Sequence, residues 1–205
     1  MDQSNQICDP QRLLERARDG SGEAVEALLN YYRPYLMLLA RMRGDRQLQA
    51  KFDDSDLVQE TLLQVHRDLP RFRGTTEAEF AAWIRRIMAN VNGKHVRRYF
   101  ARQRDVSLER QLEDQLSHSS QMVGRFMTAS DISPSERTVQ RERAVVLSQA
   151  LLQLSPDYRE AMILHRLEGR TMNEIAERMG RSVDSVQKLI ARGLLEMRRL
   201  LEGQI

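Results

Sequence analysis

Four polar side chains near the end of the chain have the types and spacing needed to contact nucleic acid. They are Ser185, Gln187, Lys188 and Arg192, which carry a hydroxyl, an amide, an ammonium and a guanidinium group. Amides and hydroxyls can hydrogen-bond to base edges, and the two cations can bind phosphates. This chemistry requires one rigid helix that presents all four groups outward.

The surrounding sequence predicts such a helix as the second half of a helix-turn-helix. Gly180 supplies the left-handed position of the turn, and Ser182 can cap the helix that follows. The facing apolar stripes are Ile175, Ala176, Met179 and Val183, Val186, Ile190. A helix-turn-helix places its second helix in the major groove of DNA. Similar helix pairs occur in proteins that never contact DNA, so the motif alone does not decide.

A second candidate surface lies between residues 81 and 104, which contain no Asp or Glu. The basic residues of this segment are Arg85, Arg86, Lys94, His95, Arg97, Arg98, Arg102 and Arg104. Together with Asn90 and nearby aromatic residues, they suit single-stranded or opened nucleic acid. The alternative is a solvated arginine face. Trp83 lies in the apolar stripe of the same helix and is predicted to face the core.

A third surface has the opposite character. Asp56, Gln59, Glu60 and Gln64 form an acidic and amide strip at near-helical spacing. DNA should repel this strip. It can contact a basic or coiled-coil protein partner, or it can simply be solvated.

Composition narrows the class of protein. The 205 residues are 41% hydrophobic and 30% charged, with a net charge of +3. The single cysteine excludes an intrachain disulfide and a multi-cysteine zinc site. No apolar run is long enough to span a bilayer, and the N-terminus lacks the regions of a signal peptide, so we expect a cytoplasmic protein without membrane insertion. No catalytic triad, Walker loop or metal-ligand spacing is present; we therefore expect no enzyme activity, metal or cofactor.

The pattern of helix caps and apolar periods predicts an all-α chain of two small helical domains. Helix starts are predicted at Asp9-Pro10, at residues 53–56 and at the Thr76–Glu79 capping box, and Pro34 predicts a kink or a new helix. We place the N-terminal domain at residues 1–103. A flexible linker, partly helical at most, covers residues 104–134, where periodicity is lost and serines gather. The C-terminal helix-turn-helix domain, winged-helix-like in type, covers residues 135–205.

Several of these segments together resemble one family. Residues 56–61, 72–74 and 80–90 resemble region 2 of the extracytoplasmic-function (ECF) group of sigma-70 sigma factors. Residues 154–160, 167–169 and the helix-turn-helix resemble region 4 of the same group. The linker length and its Ser-Pro-Ser-Glu sequence look like the planctomycete type.

The resemblance implies a subunit that directs core RNA polymerase to promoters and helps to melt the DNA. It implies docking on the β′ coiled coil and the β flap of polymerase, and it admits an anti-sigma factor as a partner. The implied polymerase-binding residues are Asp56, Gln59, Glu60 and Gln64. The implied −10 residues are Phe72, Arg73, Arg85, Arg86, Asn90, Lys94, Arg97 and Arg98. The implied −35 residues are Ser182, Ser185, Gln187, Lys188, Ala191 and Arg192.

The chain also departs from the family pattern. The family often has a basic residue where Gln187 and Leu189 stand, and Leu189 cannot read polar base edges. Two alternatives remain: a dimeric helix-turn-helix regulator that binds duplex operators without polymerase, and a helical adaptor that binds only proteins.

Overall fold

The computed structural model describes residues 9–42, 53–100, 106–124 and 136–202, and every regular element within these segments is helical. The α-helices, numbered here in chain order, are α1 Pro10–Arg18, α2 Gly22–Arg41, α3 Asp54–Asp68, α4 Glu77–Phe100, α5 Val106–Gly124, α6 Glu136–Gln153, α7 Pro156–Met162, α8 Met172–Met179 and α9 Val183–Glu202. The predicted all-α class is confirmed. The helix-turn-helix unit contains no strand in its described part, so it is built from helices without a wing.

Local capping sets the helix starts much as the sequence predicts. The Asp9 side chain accepts hydrogen bonds from the backbone of the first turn of α1. At the start of α4, the Glu79 backbone N–H donates to Thr76 Oγ1 at 3.2 Å, and the Thr76 N–H donates to Glu79 Oε2 at 3.1 Å. Hydrogen bonds from the Thr75 and Thr76 backbone hold the pKa of the Glu79 carboxyl below its usual range. A second capping box, between Thr171 and Glu174, starts α8 and was not predicted.

Helix α2 continues through Pro34 as one element, so the predicted new helix at that position is wrong. The buried residues Tyr32 and Leu28 precede the proline, and Tyr35, Leu36 and Leu39 follow it on the same stripe. Burial of this continuous stripe outweighs the hydrogen bond that proline removes.

The larger hydrophobic core is continuous across α1 to α6, and it also takes in Met162, Leu167 and Met197 from the C-terminal part. Four of its aromatic rings, those of Tyr32, Phe72, Phe80 and Trp83, form a cluster with centroid separations of 4.9–5.7 Å between neighbours. Trp83 is half-buried and packs on this core, in agreement with its predicted direction. A smaller core belongs to the helix-turn-helix and consists of Ala161, Leu164, Ile175, Ala176, Val186 and Ile190.

The linker contains a helix that the sequence did not reveal. Helix α5, which we call the linker helix, packs against α4 and α6. Its buried stripe includes Leu112, Leu116, Ser120 and Val123. Ser120 occupies a core position of this stripe. The buried positions therefore recur at helical spacing, but the apolar residues among them do not. The apparent loss of periodicity in this segment was therefore misleading; the proposed division into residues 1–103, 104–134 and 135–205 remains a prediction.

Close helix packing at Gly193 gives a direct test of the C-terminal fold. A Cβ at this position would lie 2.6 Å from Met162 Sδ and 3.3 Å from Tyr158 Cβ. We expect Gly193→Val to lower the free energy of unfolding by about 1–3 kcal/mol, because overpacking forces α7 and α9 apart. Urea unfolding followed by circular dichroism measures this loss. Gly22→Ala is the control, since a Cβ at Gly22 meets nothing within 4 Å; equal stability of Gly193→Val and wild type would contradict the close packing.

Candidate nucleic-acid interface

The turn between α8 and α9 has the geometry that a helix-turn-helix requires. Gly180 adopts φ 62° and ψ 37°, the left-handed conformation predicted for it. The Arg181 N–H then donates to the Ala176 carbonyl at 2.9 Å and ends α8. Ile175 and Val186 are fully buried between the two helices. The first turn of α9 is capped by Ser182, whose Oγ accepts the Ser185 N–H at 3.2 Å.

The outer face of α9 is accessible. Gln187, Lys188, Ala191 and Arg192 are exposed, and Ser185 is half-buried. Lys188 Nζ lies 2.6 Å from Asp184 Oδ2, and both side chains are more than 60% exposed. Ion pairs this exposed contribute little stability, so the ammonium group can leave Asp184 for a phosphate at small cost. The structure thus brings the predicted −35 residues together on one surface, with Ser182 committed to capping.

The basic face of α4 is only partly exposed. Arg73, Arg86, Asn90 and Lys94 are exposed, and Arg97 is half-buried. The side chain of Arg98 lies outside the described residues, as do those of Arg102 and Arg104. Among the described groups, Arg86, Asn90, Lys94 and Arg97 recur at helical spacing along one side of α4, and Arg73 lies in the loop before it, as the basic composition of the segment predicts.

Two residues predicted on this surface are instead buried. Phe72 is 8% exposed because its ring packs against Phe80 and Trp83. Arg85 is 3% exposed, and its Nη1 donates to the Tyr35 hydroxyl at 2.9 Å. The predicted surface position of both side chains is therefore wrong for this conformation. Neither the apolar stripe nor the basic composition could show that Arg85 hydrogen-bonds to the buried Tyr35 hydroxyl of α2.

The acidic strip lies on α3, away from α9. Asp56, Gln59 and Glu60 are exposed, and Gln64 is half-buried with its Nε2 2.6 Å from Asp68 Oδ2. Glu60 Oε2 lies 2.6 Å from His95 Nε2 on α4. This contact places the acidic strip of α3 beside the basic face of α4, and the two surfaces remain distinct.

Sequence reasoning missed an apolar component beside this strip. Leu63 is 58% exposed and lines a cavity of about 530 Å³ between α2 and α3, with Gln59 on the same wall. Leu63 thus adds an exposed apolar group to the wall of this groove, beside the polar groups of the strip. The sequence could have revealed this apolar component, because Leu63 follows Gln59 by one helical turn and therefore lies on the same side of α3.

Within the described part of the chain, no group of three or more His, Cys, Asp or Glu side chains could hold a metal ion. No helix there is long and apolar enough to cross a membrane. The arrangement instead offers two basic surfaces and one acidic strip, all suited to macromolecular contact.

Comparison with known proteins agrees with the two-part organisation. The family model for Sigma-70 region 2 matches residues 28–102, and that for Sigma-70, region 4, matches residues 144–197. RNA polymerase sigma factor CarQ of Myxococcus xanthus is 32% identical over 92% of this chain and 95% of its own length. The ECF RNA polymerase sigma-E factor of Haemophilus influenzae is 26% identical over 98% of this chain and 97% of its own.

Among solved structures, that of CnrH in complex with the cytosolic domain of CnrY covers 96% of this chain and 99% of that chain, with 21% identity and a TM-score of 0.34. The family matches cover both basic surfaces and the acidic strip in one chain. They separate this protein from an ordinary operator-binding regulator and from an adaptor. The chain belongs to the ECF group of the sigma-70 family and is a sigma factor that directs transcription initiation.

Proposed function

We propose that the three surfaces divide the work of promoter recognition. The strip on α3 docks on the β′ coiled coil of core RNA polymerase, α4 engages and helps to open the −10 element, and α9 reads the −35 element. The observation that carries this division is the exposure of an acidic strip and of a cationic helix-turn-helix face on separate helices of one chain. A coiled coil with basic groups complements the first surface, and duplex DNA complements the second.

Docking on polymerase uses both the charge and the apolar groove of α3. Asp56, Gln59 and Glu60 supply carboxylate and amide groups, and Leu63 supplies an exposed apolar anchor beside them. A polar rim around an apolar centre is the usual composition of a protein interface. This combination favours a protein partner for the strip over simple solvation.

Engagement of the −10 element rests on the exposed part of α4. Arg86 and Lys94 can bind phosphates, and Asn90 can hydrogen-bond to the edge of an unpaired base. The buried rings of Phe72 and Phe80 fix the loop that carries Arg73. The aromatic cluster acts here as a support for the surface.

Reading of the −35 element rests on α9. Gln187 can hydrogen-bond to adenine in two places, and Lys188 and Arg192 can bind guanine or phosphate. Leu189 is half-buried and packs on the small core of the helix-turn-helix. The leucine found where the family often has a basic residue therefore stabilises the motif rather than reading DNA.

Three further parts of the proposal follow from this function. The chain is a non-enzymatic subunit, since the chemistry of transcription belongs to polymerase, and it works in the cytoplasm, where core polymerase works. Region 4 contacts the β flap, and an anti-sigma factor is a partner by family resemblance. Membership in the planctomycete type rests on the linker length and the Ser-Pro-Ser-Glu sequence.

The experiment that tests this function is in vitro transcription with purified core polymerase and a library of promoter fragments. We expect transcripts whose start sites share −35 and −10 sequences and appear only when the protein is added. If the protein protects duplex DNA without polymerase, and no transcript forms when polymerase is present, an operator-binding regulator is favoured instead.

The docking surface has its own prediction. We expect Gln59→Ala combined with Glu60→Lys to weaken binding to core polymerase at least about tenfold, because it removes a contact and reverses a charge in the interface. The loss of the exposed Glu60–His95 pair should change stability by less than about 1 kcal/mol. Fluorescence anisotropy with labelled protein measures the affinity.

The matched control is Gln153→Ala with Glu202→Lys, which makes the same chemical changes at two exposed positions outside α3. Unchanged affinity of the Gln59 and Glu60 variant for core polymerase would remove α3 from the interface.

A further inference from the structure

We propose that the linker helix α5 is an intramolecular cover for one edge of the −10 surface of α4, at Arg85 and Arg86, and that Arg41 locks the chain in this closed state. The chain must then open before it can engage a promoter. This inference rests on the proposed function, since it concerns the same −10 and −35 surfaces.

Dimensions show why the chain must open. A compact chain of 205 residues has a radius of gyration of about 17 Å and is therefore about 45 Å across. Elements centred near −35 and −10 are separated by about 25 base pairs, or about 85 Å of duplex at 3.4 Å per pair. With α2, α4, α5, α6 and part of α7 sharing one core, the closed form cannot span that distance.

The first contact of the cover is an ion pair on the basic face itself. Arg86 Nε lies 3.2 Å from Glu113 Oε1 on the linker helix. The α5 sequence contains three carboxylates and one arginine, whereas α4 has no acid after Glu79. Glu113 therefore presents to Arg86 a negative charge, as a nucleic-acid phosphate would.

The second contact explains the burial of Arg85. Its guanidinium donates to the Tyr35 hydroxyl at 2.9 Å, and that hydroxyl donates to Ser120 Oγ on the linker helix at 2.8 Å. Tyr35 and Ser120 are fully buried. The guanidinium of Arg85 is thus held by a neutral hydroxyl that is itself bonded to the linker helix. Removal of the linker helix would return Arg85 to solvent and to the −10 strand.

The third contact locks the C-terminal part onto α2. Arg41 Nη1 and Nη2 lie 2.8 and 2.9 Å from the two carboxylate oxygens of Glu160, and Arg41 Nε lies 3.0 Å from Glu168 Oε1. Arg41 is 119 residues from Glu160 in the chain. Its hydrogen bonds lower the pKa of Glu160, which shows that the carboxylate is stabilised in its charged form. The Gln149 side chain adds a hydrogen bond to the Tyr31 carbonyl on α2.

Two spin labels test the closed state in the free, full-length protein. In a Cys8→Ser background, labels at Arg16→Cys on α1 and Glu177→Cys on α8 report the separation of the two parts by pulsed electron paramagnetic resonance. We expect a single short distance for the otherwise wild-type chain. We expect Arg41→Ala with Glu113→Ala to raise the population at long distances about tenfold, because partly buried charged hydrogen bonds are lost.

The matched control is Arg18→Ala with Asp114→Ala, which removes one cation and one carboxylate at exposed positions of α1 and α5. A long, broad distance distribution in the wild-type chain, or identical distributions in all three proteins, would overturn the proposed closed state.

Transcription separates this inference from the proposed function. With core polymerase and a promoter in excess, we expect the Arg41 and Glu113 variant to form open complexes several-fold faster than wild type. If the labels show opening but the rate is unchanged, the cover has no inhibitory role and the inference fails. If the labels show opening and no form of the protein supports transcription, the proposed function fails while the closed state stands.

Discussion

Replacing Phe80 with alanine is expected to lower the free energy of unfolding by about 3–5 kcal/mol, a large part of the stability of a domain of this size. Phe80 is 1% exposed, and its ring centroid lies 5.1 Å from that of Tyr32 and 5.4 Å from that of Phe72. The substitution leaves a cavity where α2, α4 and the loop after α3 meet. Chemical denaturation followed by far-ultraviolet circular dichroism measures the loss.

The same substitution should also disturb the −10 surface. Phe72 packs on Phe80, and a Cβ at the neighbouring Gly74 would lie 2.4 Å from the Phe72 ring, so the loop holding Arg73 has little freedom while the rings are packed. Without Phe80 this restraint weakens. We therefore expect loss of binding to an opened −10 fragment even at temperatures where Phe80→Ala remains folded.

Leu63→Ala is the stability control, because Leu63 is 58% exposed and its truncation should change unfolding by about 0.5 kcal/mol or less. A Phe80→Ala protein with the unfolding midpoint of wild type would show that the aromatic cluster does not organise this core.

Much of the fold was predictable because its helix starts and turns depend on residues close in sequence. The Thr76–Glu79 capping box, the Asp9 cap and the left-handed Gly180 each act within four residues. The apolar stripes of α4 and the helix-turn-helix follow the helical period for the same reason. The shared outer face of Gln187, Lys188 and Arg192 could be predicted as well, since one helix carries all three; their contact with the −35 element stays a prediction.

The remaining features depend on contacts between distant segments. The hydrogen-bond chain from Arg85 runs through the Tyr35 hydroxyl on α2 to Ser120 on α5, which are 50 and 35 residues away from Arg85 in the chain. The linker helix was missed because Ser120 fills a core position that a hydrophobic period would assign to an apolar residue. The contacts of Arg41 with Glu160 on α7 join residues that are 119 positions apart, so the local sequence could not predict the closed state.

The largest effect on function is expected from Lys188→Glu combined with Arg192→Glu. Both side chains are exposed on the outer face of α9, and the reversal turns two phosphate- or base-binding cations into repulsive carboxylates. Each lost contact should cost about 1–3 kcal/mol, so transcription from a promoter with both elements should fall about 30-fold or more. Lys188 also loses its pair with Asp184, but that pair is exposed and its loss should leave the fold intact.

Two templates and one control show where the loss arises. On a pre-melted template without a −35 element, the variant should match wild type within about threefold, because α4 and the α3 strip are unchanged. Arg16→Glu with Arg18→Glu changes the net charge equally on α1 and should retain activity on both templates. An equal fall on both templates would show that α9 acts in polymerase binding rather than in reading the −35 element. Since the pre-melted template offers α9 no −35 element in the proposed division of work, this comparison tests that division directly.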